Sequence, residues 1–284
     1  MTVTKGVIIM KLKILLVMVL LTLQVSAVDD NGVRHYIKKY MEKKTNSTVN
    51  KIETISHYEI AGTDGWEVYF LSLDMNIKLG SSYQKRTVPQ VIFTKGNKIT
   101  FSLKDQYDQS YAKLLKPTVP AEAYDDEHFL AGSKNAAHKI LVFSDPFCPY
   151  CQEIVPEMIS MVEAHPETFG LYYYHLPLLK IHPASDTTTK AMHLFHQQGD
   201  VANVKKLYHL LIDPTEKDVS KVLKAIKSKT GKSFSKSDIG SSSIKNAMEF
   251  DKAMKKRLMV TGTPTIFIDG VWDPTRLRYK NYVK

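Results

Sequence analysis

Cysteine is almost absent: the 284-residue sequence has two, Cys148 and Cys151. That scarcity excludes a framework of several structural disulfides and any metal site made of four thiolates. The chain also has no internal repeat, no low-complexity tract and no glycine-rich phosphate-binding loop. No nucleic-acid-binding motif is recognisable either, so nucleic acid is not an expected partner. Acidic residues are missing before Asp29, where Lys5, Lys11 and Lys13 accompany the apolar run Ile14 to Leu23 and the small-residue triplet Val25-Ser26-Ala27. This order predicts a secretory signal over residues 1–27, cut after Ala27. The run is shorter than the ~20 apolar residues a spanning helix needs, which favours a cleaved signal over the alternative of an uncleaved anchor. Export leads to an oxidising space, where disulfides form and persist.

What is present centres on the two cysteines. They sit as Cys148-Pro149-Tyr150-Cys151, after the apolar run Lys139 to Ser144 and the loop Asp145-Pro146-Phe147. The run suits a buried strand and Pro149 suits the first position of a helix, where its missing N–H costs nothing. Cys148 then occupies the N-cap, facing the unpaired N–H groups and the positive end of the helix dipole. A thiolate is favoured there. Cysteines in such motifs ionise at roughly 3.5–7.5, against about 8.5 for a free thiol. Cys148 is therefore the expected nucleophile, and Cys151, one turn further in, the expected resolving thiol. Half a zinc site is the competing reading, but two further ligands would have to be histidines or carboxylates. A purely structural disulfide across so short a loop would contribute little stability. The chemistry requires no metal and no organic cofactor.

A second informative stretch is Val260 to Gly270, in which Gly262-Thr263-Pro264 precedes the apolar run Thr265 to Ile268 and the turn pair Asp269-Gly270. Alone it is an ordinary proline at the start of a strand, since cis bonds occupy only about 5–6% of X-Pro pairs. Its pairing with the dithiol changes that reading.

A strand leading into C-x-x-C at a helix start, a long helical insertion, and Thr-Pro before a hairpin together resemble the thioredoxin fold. Phe143 to Cys151 with Gly262-Thr263-Pro264 resembles more narrowly the periplasmic DsbC/DsbG group of thiol-disulfide interchange proteins, the DsbG form being closest. The resemblance covers roughly residues 121–284. It implies that Pro264 is cis and packs beside the dithiol, and that Thr263 offers its backbone to a substrate strand. Many thioredoxin-fold proteins carry a buried acid six positions before the first cysteine; here that position is Val142. Asp145 is the acidic candidate left, for capping the loop or for tuning the dithiol. Tyr150 stands where strongly oxidising relatives have histidine, which removes a positive neighbour of the thiolate. The implied activity is that of a disulfide isomerase or reductase with chaperone-like client binding, in the periplasm. Its partners would be exported client proteins and a membrane thiol-disulfide reductant. A dithiol oxidase, and a binding module with an incidental dithiol, are the alternatives.

Residues 28–104 read as a separate α+β unit. Val33, Tyr36, Ile37, Tyr40 and Met41 recur at helical spacing, and strand-like runs follow at Ile52–Ile60, Trp66–Leu73, Val91–Thr94 and Ile99–Leu103. A helix on an antiparallel sheet is expected, resembling the cystatin-like dimerisation domain of the DsbC/DsbG group, and with it a homodimer. Residues 105–120 read as a linker helix, Asp105 to Leu115, closed by Pro117 and Pro120. Within the catalytic domain, 121–284, helices are expected over Ala184–Gln197, Val201–Leu211, Val219–Ile226 and Ile244–Leu258 after a strand at Leu171–Leu176. His182 lies in the loop before them and reads as a solvated residue rather than a site residue. The formal charge is +10. Lys217, Lys221, Lys224, Lys227, Lys229 and Lys232 concentrate part of it, most simply as a solvated helix face.

Overall fold

The computed structural model describes residues 28–45 and 47–283. The predicted signal over 1–27 lies outside them. Among the described residues no helix is long and apolar enough to cross a membrane.

The N-terminal unit opens with α1 (Asp30–Thr45), followed by β1 (Ser47–Glu59), β2 (Glu67–Leu79), β3 (Ser82–Lys95) and β4 (Lys98–Thr100). These form one antiparallel sheet in the order β1-β2-β3-β4. Alternation along β2 explains its two-sided burial. Tyr69, Leu71, Leu73 and Met75 face Val33 and Ile37 of α1, while Val68 and Phe70 pack with Ile60 and Phe93 on the other face.

β1, β2 and β3 run further than predicted, starting at Ser47, ending at Leu79 and starting at Ser82. β3 begins at Ser82 rather than Val91 because its polar half, Tyr83 to Thr87, pairs with Asp74 to Lys78 in a hairpin arm that extends past the core. Tyr83 to Thr87 are all exposed, so no period-two pattern marks them. Pro89 is tolerated because β4 pairs only with Phe93 to Lys95, which leaves β3 an edge at Pro89. The predicted linker helix over Asp105–Leu115 shrinks to α2 (Tyr111–Leu114). The Asp105 carboxylate instead accepts the N–H groups of Tyr107 and Gln109, at 2.9 and 2.8 Å, and Asp108 turns to a φ of 62°. An aspartate that bonds its neighbours' backbone in this way offers a turn in place of helix.

The second unit contains β5 (Phe129–Gly132), β6 (His138–Ser144), α3 (Pro149–Ala164), β7 (Phe169–His175), α4 (Ser185–Gln197), α5 (Val201–Lys206), α6 (Val219–Thr230), α7 (Lys236–Ile239), α8 (Ser242–Arg257), β8 (Thr265–Ile268) and β9 (Val271–Asp273). Its sheet runs β5-β7-β6-β8-β9, with β6 and β7 parallel and the other pairs antiparallel. Central β6 is covered on both faces, which is why it reads as an unbroken apolar run. Ile140 and Val142 face α3 and α4, whereas Leu141 and Phe143 face Met254 and Leu258. Helices α4 to α8 form the insertion between β7 and β8. The predicted helix over Val201–Leu211 ends its α-helical part at Lys206 and tightens into a 3-10 turn, Leu207–His209. Gly132, at a φ of 84°, lets β5 meet β7: a Cβ there would lie 2.0 Å from the Phe169 carbonyl oxygen.

Candidate active site

Pro149 is the first residue of α3, and Cys148 caps it in an extended conformation, φ −70° and ψ 123°. The Cys148 N–H donates to the Asp145 carbonyl at 3.1 Å and the Gln152 N–H to the Cys148 carbonyl at 3.0 Å, so loop and helix form one rigid corner. Both cysteines are free thiols. Cys148 is 7% exposed at the rim and Cys151 is wholly buried.

The Thr263–Pro264 peptide is cis and brings Thr263 against the dithiol. Cys148 Sγ donates to the Thr263 carbonyl oxygen at 3.4 Å. The Thr263 hydroxyl is buried with no hydrogen-bond partner among the described residues. A hydrogen bond from the Cys151 thiol is the largest influence on Cys148 and outweighs burial; with the Thr263 hydroxyl and the Cys151 and Tyr150 N–H groups it pulls Cys148 down to about 5. Burial, reinforced by the Cys148 neighbour, pushes Cys151 far up, while Ser144 and the backbone at Asp145 pull the other way. The two thiols thus differ in kind: one a thiolate at neutral pH, the other a shielded acid.

Asp145 is wholly buried. Its carboxylate accepts the N–H of Phe147 at 2.7 Å, the N–H of Leu178 at 2.6 Å and the Ser185 hydroxyl at 2.8 Å, and lies 3.3 Å from His182 Nδ1. This bonding caps the active-site loop and ties it to the start of α4. His182 is accordingly a loop partner of Asp145 rather than a freely solvated side chain. Tyr150 and Pro149 are exposed, and the Arg276 guanidinium lies 5.3 Å from the centre of the Tyr150 ring.

Sequence reasoning missed the polar groups behind Cys151. Ser144 Oγ, Tyr208 Oη and Tyr173 Oη form a buried hydroxyl chain with 2.6 Å links. Ser144 reaches Cys151, while Val142, at the position of the missing acid, contributes only packing. Nothing in the sequence linked Tyr208 to Ser144, because the contact depends on how the insertion folds back. Arg276 carried no signal either: it comes from a turn after β9 with a φ of 64°.

The thioredoxin family model matches residues 125–282. The chain belongs to the thioredoxin family. Its second unit is similar to a thioredoxin-like oxidoreductase from Silicibacter pomeroyi, at 18% identity over 58% of this chain and 99% of that one, with a TM-score of 0.45. BdbD from Bacillus subtilis is similar at 15% identity over 58% and 92% of the two chains, TM-score 0.44. A periplasmic thioredoxin-like protein from Salmonella enterica serovar Typhimurium is similar at 18% identity over 57% and 94%, TM-score 0.45. No curated protein matches the chain. The family match extends over the thioredoxin-like unit and carries nothing toward the DsbG form in particular.

Proposed function

We propose that the chain is a thiol-disulfide oxidoreductase of exported proteins, working in the isomerase or reductase direction as in the DsbC/DsbG group. The observation that carries this reading is the Cys148 thiol at the N-terminus of α3, against the cis Thr263–Pro264 peptide, with Cys151 buried behind it.

The Cys148 thiolate attacks one sulfur of a client disulfide, forming a mixed disulfide and releasing the other client sulfur as a thiolate. In isomerisation a second client thiolate attacks the mixed disulfide, a new client pairing forms, and Cys148 leaves as the thiolate with no net electron transfer. In reduction Cys151 loses its proton and attacks the Cys148 sulfur. The client leaves with both its sulfurs reduced, and the Cys148–Cys151 disulfide awaits two electrons from a membrane dithiol reductant. Ser144, at the head of the hydroxyl chain, stabilises Cys151 as it ionises. The client strand runs beside Thr263, whose backbone it pairs with.

The N-terminal helix-on-sheet unit, through its resemblance to the dimerisation domain of that group, favours a dimeric isomerase over a monomeric oxidase. The low Cys148 value favours the oxidase as second reading, because stabilising the thiolate makes the disulfide more oxidising. Refolding of a scrambled disulfide protein by the reduced chain, with Cys148→Ser as control and the mass in solution measured alongside, tests the assignment. Recovery of native pairing by a dimer supports it. Activity confined to oxidising reduced clients sinks it.

A further inference from the structure

Away from the dithiol, His175 ends β7, and His193 and His196 lie one turn apart on α4. A ring nitrogen from each lies within 4.8 Å of the others, and the residues are only 3%, 2% and 8% exposed. Both ring nitrogens of His175, Nε2 of His193 and Nδ1 of His196 are buried with no hydrogen-bond partner among the described residues. Buried polar nitrogens are seldom left so, and three converging imidazoles call for a shared ligand.

His196 shows the arrangement most clearly. Its Nε2 donates to the Phe129 carbonyl at 2.9 Å, which fixes the proton there and leaves the Nδ1 lone pair free. A ring held by one nitrogen on a backbone carbonyl is how metal-ligating histidines are oriented. Burial disfavours the charged form of all three imidazoles.

We propose that His175, His193 and His196 form a binding site for a divalent transition-metal ion of the zinc type, independent of the dithiol. Three imidazoles suit Zn²⁺ and leave a fourth position open. Zinc–imidazole bonds of about 2.0–2.1 Å bring tetrahedral nitrogens to about 3.4 Å from one another, within the reach of these rings. Asp251, 2% exposed, accepts the His175 backbone N–H at 2.9 Å and pairs with His128 Nε2 at 2.8 Å, which fixes the end of β7 that carries the His175 ring. His175 also lines a cleft of about 580 Å³. Lys190, Lys245, Lys252 and Lys255 line that cleft against Asp186 and Glu249, a balance that favours an anionic fourth ligand. The bound ion joins the end of β7 to α4.

The test takes the tag-free full chain with its dithiol oxidised, so that thiolates do not compete, and titrates it with Co²⁺ under visible absorption. The expected result is one equivalent of Co²⁺ with the intense bands of a tetrahedral site, displaced by one equivalent of Zn²⁺, and a Tm that rises with either metal. His193→Gln and His196→Gln each weaken binding at least tenfold and, in the reduced proteins, leave the rate of Cys148 alkylation unchanged. Weak octahedral bands, no saturation at one equivalent, or unaltered affinity in both variants overturns the proposal and leaves the nitrogens to buried water. If neither variant folds, the Co²⁺ spectrum of the unaltered chain decides.

Discussion

The Cys148 sulfur and the Thr263 carbonyl oxygen, 115 positions apart in the chain, lie 3.4 Å from each other. This contact joins the two motifs that the sequence displays separately. It puts the nucleophile beside the backbone expected to hold a client.

Cys148 titrates near 5, so thiolate absorbance at 240 nm should rise with a midpoint about there, well below that of a free thiol. The sign for stability follows. A depressed folded value stabilises the reduced fold fully above the unfolded value and loses that contribution as pH falls through about 5. The stability of the reduced protein relative to the oxidised one should therefore fall between pH 7 and pH 4, as read by urea unfolding of both forms. A gap unchanged over that range contradicts the assignment.

Thr263→Val keeps the β-branched shape and removes the hydroxyl. The Cys148 midpoint should rise by about one unit, the worth of one hydrogen bond to a charged sulfur. An unmoved midpoint means that the hydroxyl does not reach the thiolate.

Ser144→Ala interrupts the hydroxyl chain behind Cys151. First attack by Cys148 on a model disulfide should keep its rate, while resolution of the mixed disulfide by Cys151 slows about tenfold, the equivalent of one hydrogen bond. Single-turnover kinetics with a glutathione mixed disulfide separates the two steps. Equal slowing of both speaks for a packing defect.

Asp145→Ala leaves the N–H groups of Phe147 and Leu178 and the Ser185 hydroxyl unpaired in a buried site. Unfolding should show a loss of about 2–4 kcal/mol. The Cys148 midpoint should move less than in Thr263→Val, because the carboxylate caps the loop and does not touch the sulfur.

The dithiol corner was legible because its signals are local: an apolar strand, Pro149 at a first helical position, and two cysteines one turn apart. The helical insertion showed itself through periodic apolar residues such as Ala191 and Phe195, both buried. Elements shaped by their own polar side chains were misread, as where Asp105 replaces a helix with a turn. Tyr83 to Thr87 form a strand with no buried face, so they carried no pattern. Ser144, Tyr208 and Arg276, like the three clustered histidines, meet only through tertiary folding, which no spacing along the chain announces.

The most direct test of the central claim is the redox state of the Cys148–Cys151 pair in living cells, fixed by acid trapping and read by alkylation and gel shift. The account predicts a mostly reduced pair, ready to attack client disulfides. A mostly oxidised pair would contradict it and make the protein a donor of disulfides.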